Sequence, residues 1–320
     1  MNPRLAVLSL FLISGQLFAA QGIALLDRMA DAMRSSNYVG TFVYRHKDKV
    51  ETLKIVHRQT EHGIDERLIT LSGKPREIIR DDRKVTCIWP EKQLVLLDKN
   101  RRKSRFPGIV PENLNRLPEY YNISLSEQRA RVAGRLSYIV DIDPKDQYRY
   151  GYRLWIDQGS HLLIRSDLLD ENKQAVEQVM FTELKVYNSL PDSMFESQYL
   201  KKGYHWQEVD KEENSTPKQP SSWVAGTLPA GFVLQTYNQR KKPDFPDMVE
   251  HMVYSDGMAS VSVFVEPRPD NDAHHEAGYG SSRRGALSIY RKALNAHQVT
   301  VLGEVPEQTV KLIAESIKTR

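Results

Sequence analysis

Cysteine is almost absent: Cys87 is the only one in 320 residues. No intramolecular disulfide can form, so stability must come from burial and hydrogen bonding, even in an oxidising compartment. Cys87 sits in the apolar run Val85-Thr86-Cys87-Ile88-Trp89, which marks it as a small core hydrophobe rather than a reactive thiol. An excess of one charge is lacking too. The 45 basic and 41 acidic residues leave a net +4, too weak a bias to imply nucleic acid. Beyond the first segment, no apolar run approaches the roughly 18 residues of a membrane span. No G-x-S-x-G, H-E-x-x-H, P-loop or Rossmann glycine pattern occurs, so no residue is nominated for catalysis. His274-His275 could begin a metal site, but their polar loop, Arg268–Gly280, supplies no further ligands. Asp141 and Asp143, just before Pro144, read as the solvated end of a strand rather than a catalytic pair. A non-enzyme without metal or cofactor is expected.

What is present begins with an export address. Arg4 gives a short positive region, Leu5–Ile13 an apolar one, and Ser14–Ala20 ends in small residues. An apolar stretch of about nine residues fits a secretory signal and is too short to span a bilayer. Residues 1–20 are therefore expected to be a Sec signal peptide, cleaved after Ala19 or Ala20. No cysteine follows for lipid attachment, so the product is expected to be soluble outside the cytoplasm. The remaining chain of about 300 residues exceeds one typical domain. Its 40% apolar and 27% charged residues support a packed core.

Helical spacing of Ile23, Leu26, Ala30 and Met33 predicts an amphipathic helix over Gly22–Ser35. From Asn37 to about Tyr187 the pattern is strand after strand, with candidates up to Gln93–Leu97 and again from Ser137–Ile142, separated by turn signals such as His62-Gly63 and Ser72-Gly73-Lys74-Pro75. The clearest is Tyr148–Ile156, where period-2 spacing places Tyr148, Tyr150, Tyr152, Leu154 and Ile156 on one face. The polar, proline-bearing stretch 210–222 reads as a linker between domains 21–209 and 223–320. In the second domain, Ser255-Asp256-Gly257 predicts a tight turn between strands. Val261, Val263 and Val265 share one strand face. Pro306 opens a last helix with the stripe Val310, Ile313, Ala314 and Ile317. The fold class is α+β, mostly antiparallel β. One or two helices cannot cover so many strands, so the first domain should be an open, strongly curved sheet with an apolar concave face.

Two basic clusters are candidate binding elements. Arg101, Arg102, Lys103 and Arg105 lie beside Phe106 and suit the phosphates of lipid head groups, or an ordinary solvated loop. Arg283 and Arg284 suit the carboxylates of a partner chain, since a guanidinium pairs with them bidentately, or an ordinary solvated surface.

The segments Asn37–His46 (NYVGTFVYRH), Glu66–Arg80, Tyr148–Leu169 (YRYGYRLWIDQGSHLLIRSDLL), Leu228–Phe232 (LPAGF), Tyr254–Pro267 (YSDGMASVSVFVEP) and Val299–Pro306 (VTVLGEVP) carry a resemblance. In them the chain resembles the RseB/MucB proteins, periplasmic negative regulators of sigma-E-type (AlgU-type) envelope stress signalling. Met258-Ala259-Ser260 departs from the bulkier residues common after the Asp-Gly turn. The resemblance implies a large first domain like the unclosed β-barrel of LolA and LolB, with helices, and a smaller α+β second domain. It implies binding to the periplasmic part of an RseA/MucA-like anti-sigma factor, shielding it from its first regulatory protease. Release would come from lipopolysaccharide or the acyl chains of mislocalised lipoprotein. Tyr254, Phe264, Arg283 and Arg284 would then contact the anti-sigma factor, and Arg101, Arg102, Lys103 and Arg105 the lipid. A homodimer is compatible with this reading; nucleic acid is not expected. The rival expectation is a periplasmic lipid or lipoprotein carrier of LolA type.

Overall fold

Alternation of large apolar and polar residues builds the first domain. In β1 (Asn37–His46) Tyr38, Gly40 and Phe42 are buried, while the residues between them are only partly covered. The computed structural model describes residues 20–99, 114–200, 203–208, 221–241, 248–268 and 279–320. The expected signal peptide up to residue 19, the cluster Arg101, Arg102, Lys103 and Arg105, most of the expected linker, and His274-His275 lie outside the described residues.

After β1 come β2 (Lys49–Thr60), β3 (Gly63–Thr70), β4 (Glu77–Arg80), β5 (Val85–Trp89) and β6 (Leu94–Asp98), each antiparallel to the one before. A short helix, α2 (Leu117–Tyr120), leads into β7 (Tyr121–Val132), β8 (Arg135–Pro144), β9 (Gly151–Asp157), β10 (Leu163–Leu169) and β11 (Ala175–Tyr187). Strand β11 returns to pair with β1, and β12 (His205–Glu208) adds parallel to β6. The result is one 12-stranded sheet, ordered β12-β6-β5-β4-β3-β2-β1-β11-β10-β9-β8-β7, whose end strands do not pair with each other.

The preceding helix α1, residues 20–35, lies inside the curl of this sheet. Leu25, Leu26, Met29 and Met33 join one apolar cluster with Tyr38, Phe42 and Ile55 from one half, and Ile123, Val140 and Ile156 from the other. Covering both halves with one helix requires the sheet to bend around it. After β11 the chain crosses the outer side as a strap. Arg58 donates to the Leu190 carbonyl at 3.0 Å and pairs with Asp192 at 2.6 Å, and Arg67 donates to the Met194 carbonyl at 3.0 Å. Glu77, itself paired with Arg67, accepts a hydrogen bond from Ser197.

The second domain has β13 (Trp223–Ala225), β14 (Val233–Lys241), β15 (Met248–Ser255), β16 (Ser260–Pro267), β17 (Gly280–Arg284), β18 (Leu287–Leu294), β19 (His297–Glu304), α3 (Glu307–Ser316) and β20 (Ile317–Thr319). Its six-stranded sheet runs β14-β15-β16-β19-β18-β17, and β13 pairs with β20 beside it. Val261, Val263 and Val265 do share one buried face, packed with Val310, Ile313 and Ala314 of α3.

Three expectations need correction. Strand β9 begins at Gly151, so Tyr148 and Tyr150 precede it; only Tyr152, Leu154 and Ile156 continue the predicted face. Helix α3 ends at Ser316, and Ile317 opens β20, because that residue pairs with Ala225 across the domain's entry strand. Strand β7 (YNISLSEQRARV) was not expected, since its second half is polar and its alternation is broken by a register shift between Leu125 and Arg129. Ile156, fully buried where α1 meets the sheet, gives a direct test of the core. Ile156→Ala should lower stability by about 2–5 kcal/mol, read as a shift of the urea midpoint with an unchanged slope.

Candidate functional site at the domain junction

The loop that precedes β9 is where the two domains grip each other. Arg149 lies there with its side chain fully buried, a position that demands compensation of its charge. Its Nη1 donates to Asp256 Oδ2 at 2.5 Å, its Nη2 to the Ala230 carbonyl at 2.6 Å, and its Nε to Asp146 Oδ1 at 3.0 Å. The rings of Tyr120, Tyr121 and Phe232 stand 5.2–5.4 Å from the guanidinium centre, within cation–π range. Burial works against the Arg149 charge, but Asp146, Asp256 and Tyr121 together raise its pKa, so it stays a cation.

Asp256 has a double role. Its Oδ1 accepts the backbone N–H groups of Met258 and Ala259, which orders the Asp-Gly turn, while Oδ2 accepts Arg149 and the Tyr121 hydroxyl at 2.9 Å. The Tyr121 hydroxyl is raised well above its ordinary pKa by burial and then by the Asp256 charge, which keeps it a donor. Gly231 has φ +84, and an added Cβ would stand 2.5 Å from the Tyr120 ring, so this close approach needs glycine. Helix α3 adds Thr309, whose hydroxyl donates to the Tyr148 carbonyl at 2.8 Å. Tyr150 packs with Leu168 and with Ala286 from the β17–β18 turn.

Beside this grip lies a cavity of about 500 Å³. Its walls are Phe42, Leu53, Leu68 and Val179 on the concave face of the first sheet; Met258 and Glu304 of the second domain close over it. Glu51, Arg76, Tyr152 and Glu177 also line it, so an apolar wall meets a charged rim. Next to the rim, His46 Nδ1 lies 2.6 Å from Glu177 Oε1. Gly285, at φ +68 in the β17–β18 turn, comes so close that an added Cβ would be 1.8 Å from the His46 ring.

The residues singled out from sequence fall in different places. Tyr254 is buried in the core of the second domain, and Phe264 lies on the other side of that sheet, its ring stacked on His251 at 4.1 Å. Arg283 turns toward the first domain, over the Tyr150 ring at 5.8 Å, and its Nε donates to the Gly285 carbonyl. Arg284 is exposed. The expected carboxylates Asp141 and Asp143 pair with Arg153 and Lys173. Cys87 is buried. Sequence reasoning missed Arg149, His46, Glu177 and Glu304. The only signal for Arg149 was an arginine inside a tyrosine-rich segment, and period-2 counting assigned it to a strand face.

The chain matches the MucB/RseB N-terminal domain over residues 21–199 and the MucB/RseB C-terminal domain over residues 217–318. It belongs to the MucB/RseB family. Among curated relatives, the sigma factor AlgU regulatory protein MucB of Pseudomonas aeruginosa is 32% identical, covering 97% of this chain and 96% of its own. The sigma-E factor regulatory protein RseB of Haemophilus influenzae is 28% identical, covering 99% and 98%. Among solved structures, the complex of Pseudomonas aeruginosa MucA and MucB aligns with a TM-score of 0.72 at 28% identity, covering 94% of this chain and 99% of that one.

The segments that carry the MucB/RseB resemblance converge on this junction. Phe42 and His46 come from the first, Arg149 and Tyr152 from YRYGYR, Ala230 to Phe232 from LPAGF, Asp256 and Met258 from YSDGM, and Glu304 from the last. The junction is thus the candidate site of this MucB/RseB-family chain. Asp256→Asn keeps the Oδ1 acceptor of the turn but leaves Arg149 short of one charge. It should cost about 3–5 kcal/mol in urea unfolding, the range for breaking a buried ion pair from one side. Replacing both partners, Arg149→Met with Asp256→Asn, should cost less than the sum of the single changes.

Proposed function

We propose that this chain is a non-catalytic periplasmic regulator that holds the periplasmic segment of a membrane-spanning RseA/MucA-like anti-sigma factor and shields it from proteolysis. The observation that carries this reading is the likeness over both domains to MucB, including the solved MucA–MucB complex. A signal peptide in residues 1–20 would deliver it to that compartment. Among the described residues, no helix is long and apolar enough to cross a membrane.

Release follows from the cavity. Phe42, Leu53, Leu68 and Val179 offer an apolar wall to an acyl chain, and Met258 and Glu304 bring the second domain into the same space. A lipid seated there touches both domains and biases their arrangement, which is the differential contact that coupling requires. A simple carrier has no use for a second domain closed over its cavity, so this feature favours the regulator over the shuttle. Arg101, Arg102, Lys103 and Arg105 are proposed to meet lipid phosphates, and Arg284 to meet carboxylates of the anti-sigma segment.

Two outcomes test this reading. The purified protein should protect the anti-sigma periplasmic segment from its regulatory protease, and lipopolysaccharide should abolish the protection; cleavage at an unchanged rate without lipid would refute it. Arg284→Ala isolates the partner contact, since Arg283 also packs against Tyr150 of its own chain. Calorimetry should show binding weaker by about 2–5 kcal/mol if Arg284 forms a desolvated charge pair. Unchanged affinity would remove it from the interface.

A further inference from the structure

We propose that Glu177 and Glu304 form a proton-operated latch between the two domains, which draws the junction shut as the pH falls. The two carboxylates come from different domains, β11 and the end of β19, and line one cavity. They are of like charge and enter the same cleft, so ionising both opposes docking of one domain on the other. The contact is not free to relax sideways, because the β17–β18 turn presses Gly285 directly onto the His46 ring and Lys47 Nζ donates to the Arg283 carbonyl at 3.5 Å.

The groups facing the pair come from every strand around it. Tyr44 and His46 stand on β1, Glu51 on β2 and Tyr152 on β9, with Arg76 just before β4. Tyr44 is raised above the ordinary tyrosine range by burial and then by Glu177, so it remains neutral and cannot offset the acids. Tyr152 is raised likewise, by burial and then Glu304. Arg76 is a cation in the cavity lining, and the His46 ring stands against Glu177, with Nδ1 2.6 Å from Oε1. Arg283 of β17 is turned to Tyr150.

The sign follows from linkage. Glu304 keeps solvent access but is held above the ordinary carboxylate range by burial in the cleft first and then by Glu177, with His46 opposing. The docked state therefore binds protons more readily than an undocked one, where Glu304 would titrate as an ordinary carboxylate. The repulsive penalty is fully present above the docked pKa and vanishes as the pH falls through it toward the ordinary value. The effect concerns docking itself and does not depend on which partner the protein binds.

Met258, in the roof of the cavity, supplies the probe. In the full chain with 13C-methyl methionine, the Met258 resonance, assigned with Met258→Leu, is followed from pH 8 to pH 5. The wild type should move toward the docked position on acidification. Glu304→Gln should sit at that position throughout, with no response in the carboxylate range. Glu177→Gln should flatten the same response. Because Glu304 lines the cavity and is not part of the apolar core of the second domain, its replacement leaves that core intact. A wild-type resonance that does not change, one that moves away from docking on acidification, or a Glu304→Gln protein that retains the wild-type response would each overturn the latch.

Discussion

One buried charge pair, Arg149 with Asp256, connects the two halves of this molecule, and most of the junction is arranged around it. A guanidinium with no solvent access is tolerated only when each donor finds an acceptor and the net charge is balanced. Asp146 meets the need from the first domain, and Asp256 and the Ala230 carbonyl meet it from the second. Undocking would expose or strand these groups, so the pair makes the domain arrangement specific. Hydrophobic contact alone is less selective: Tyr150, Leu168 and Ala286 would tolerate small slides that the fixed fork of an arginine does not.

The same residues connect the grip to the cavity. Asp256 orders the turn that carries Met258, and Met258 closes over the space walled by Phe42, Leu53 and Val179. Next to the rim of that space the β17–β18 turn rests on His46. A molecule entering the cavity therefore meets both domains at once. The proposed release of a partner in response to lipid needs such a shared surface, because a ligand shifts an equilibrium only through contacts that differ between states. A carrier that merely encloses an acyl chain does not.

Much of the fold was legible from alternation and turns. The strand face Val261, Val263 and Val265 and the helix stripe Val310, Ile313 and Ala314 follow directly from spacing, because each forms one buried face. Strand β7 escaped because half of its side chains face water, and strand β20 because Ile317 extends the helical stripe while tertiary pairing decides its state. The site was less legible. Tyr254 and Phe264 attract attention as aromatic residues on strands, yet one fills a core and the other stacks on His251. Arg149, the residue that organises the junction, has partners more than eighty positions away in the sequence, at Ala230 and Asp256. No local pattern encodes a contact of that separation. What the sequence did offer was a set of scattered segments resembling one family, and their convergence in space is what gives that resemblance a physical meaning.

The central claim is that the Arg149–Asp256 pair fixes how the domains sit on each other. The most direct measurement places spin labels at Gln128→Cys on β7 and Lys311→Cys on α3, both exposed, and records the distance between them by pulsed dipolar spectroscopy. At pH 5, where the Glu177–Glu304 repulsion is relieved, the account predicts a single narrow distribution in the otherwise unaltered protein and a broadened or multiple one when Asp256→Asn is added. The same narrow distribution in both would show that the pair does not set the domain arrangement.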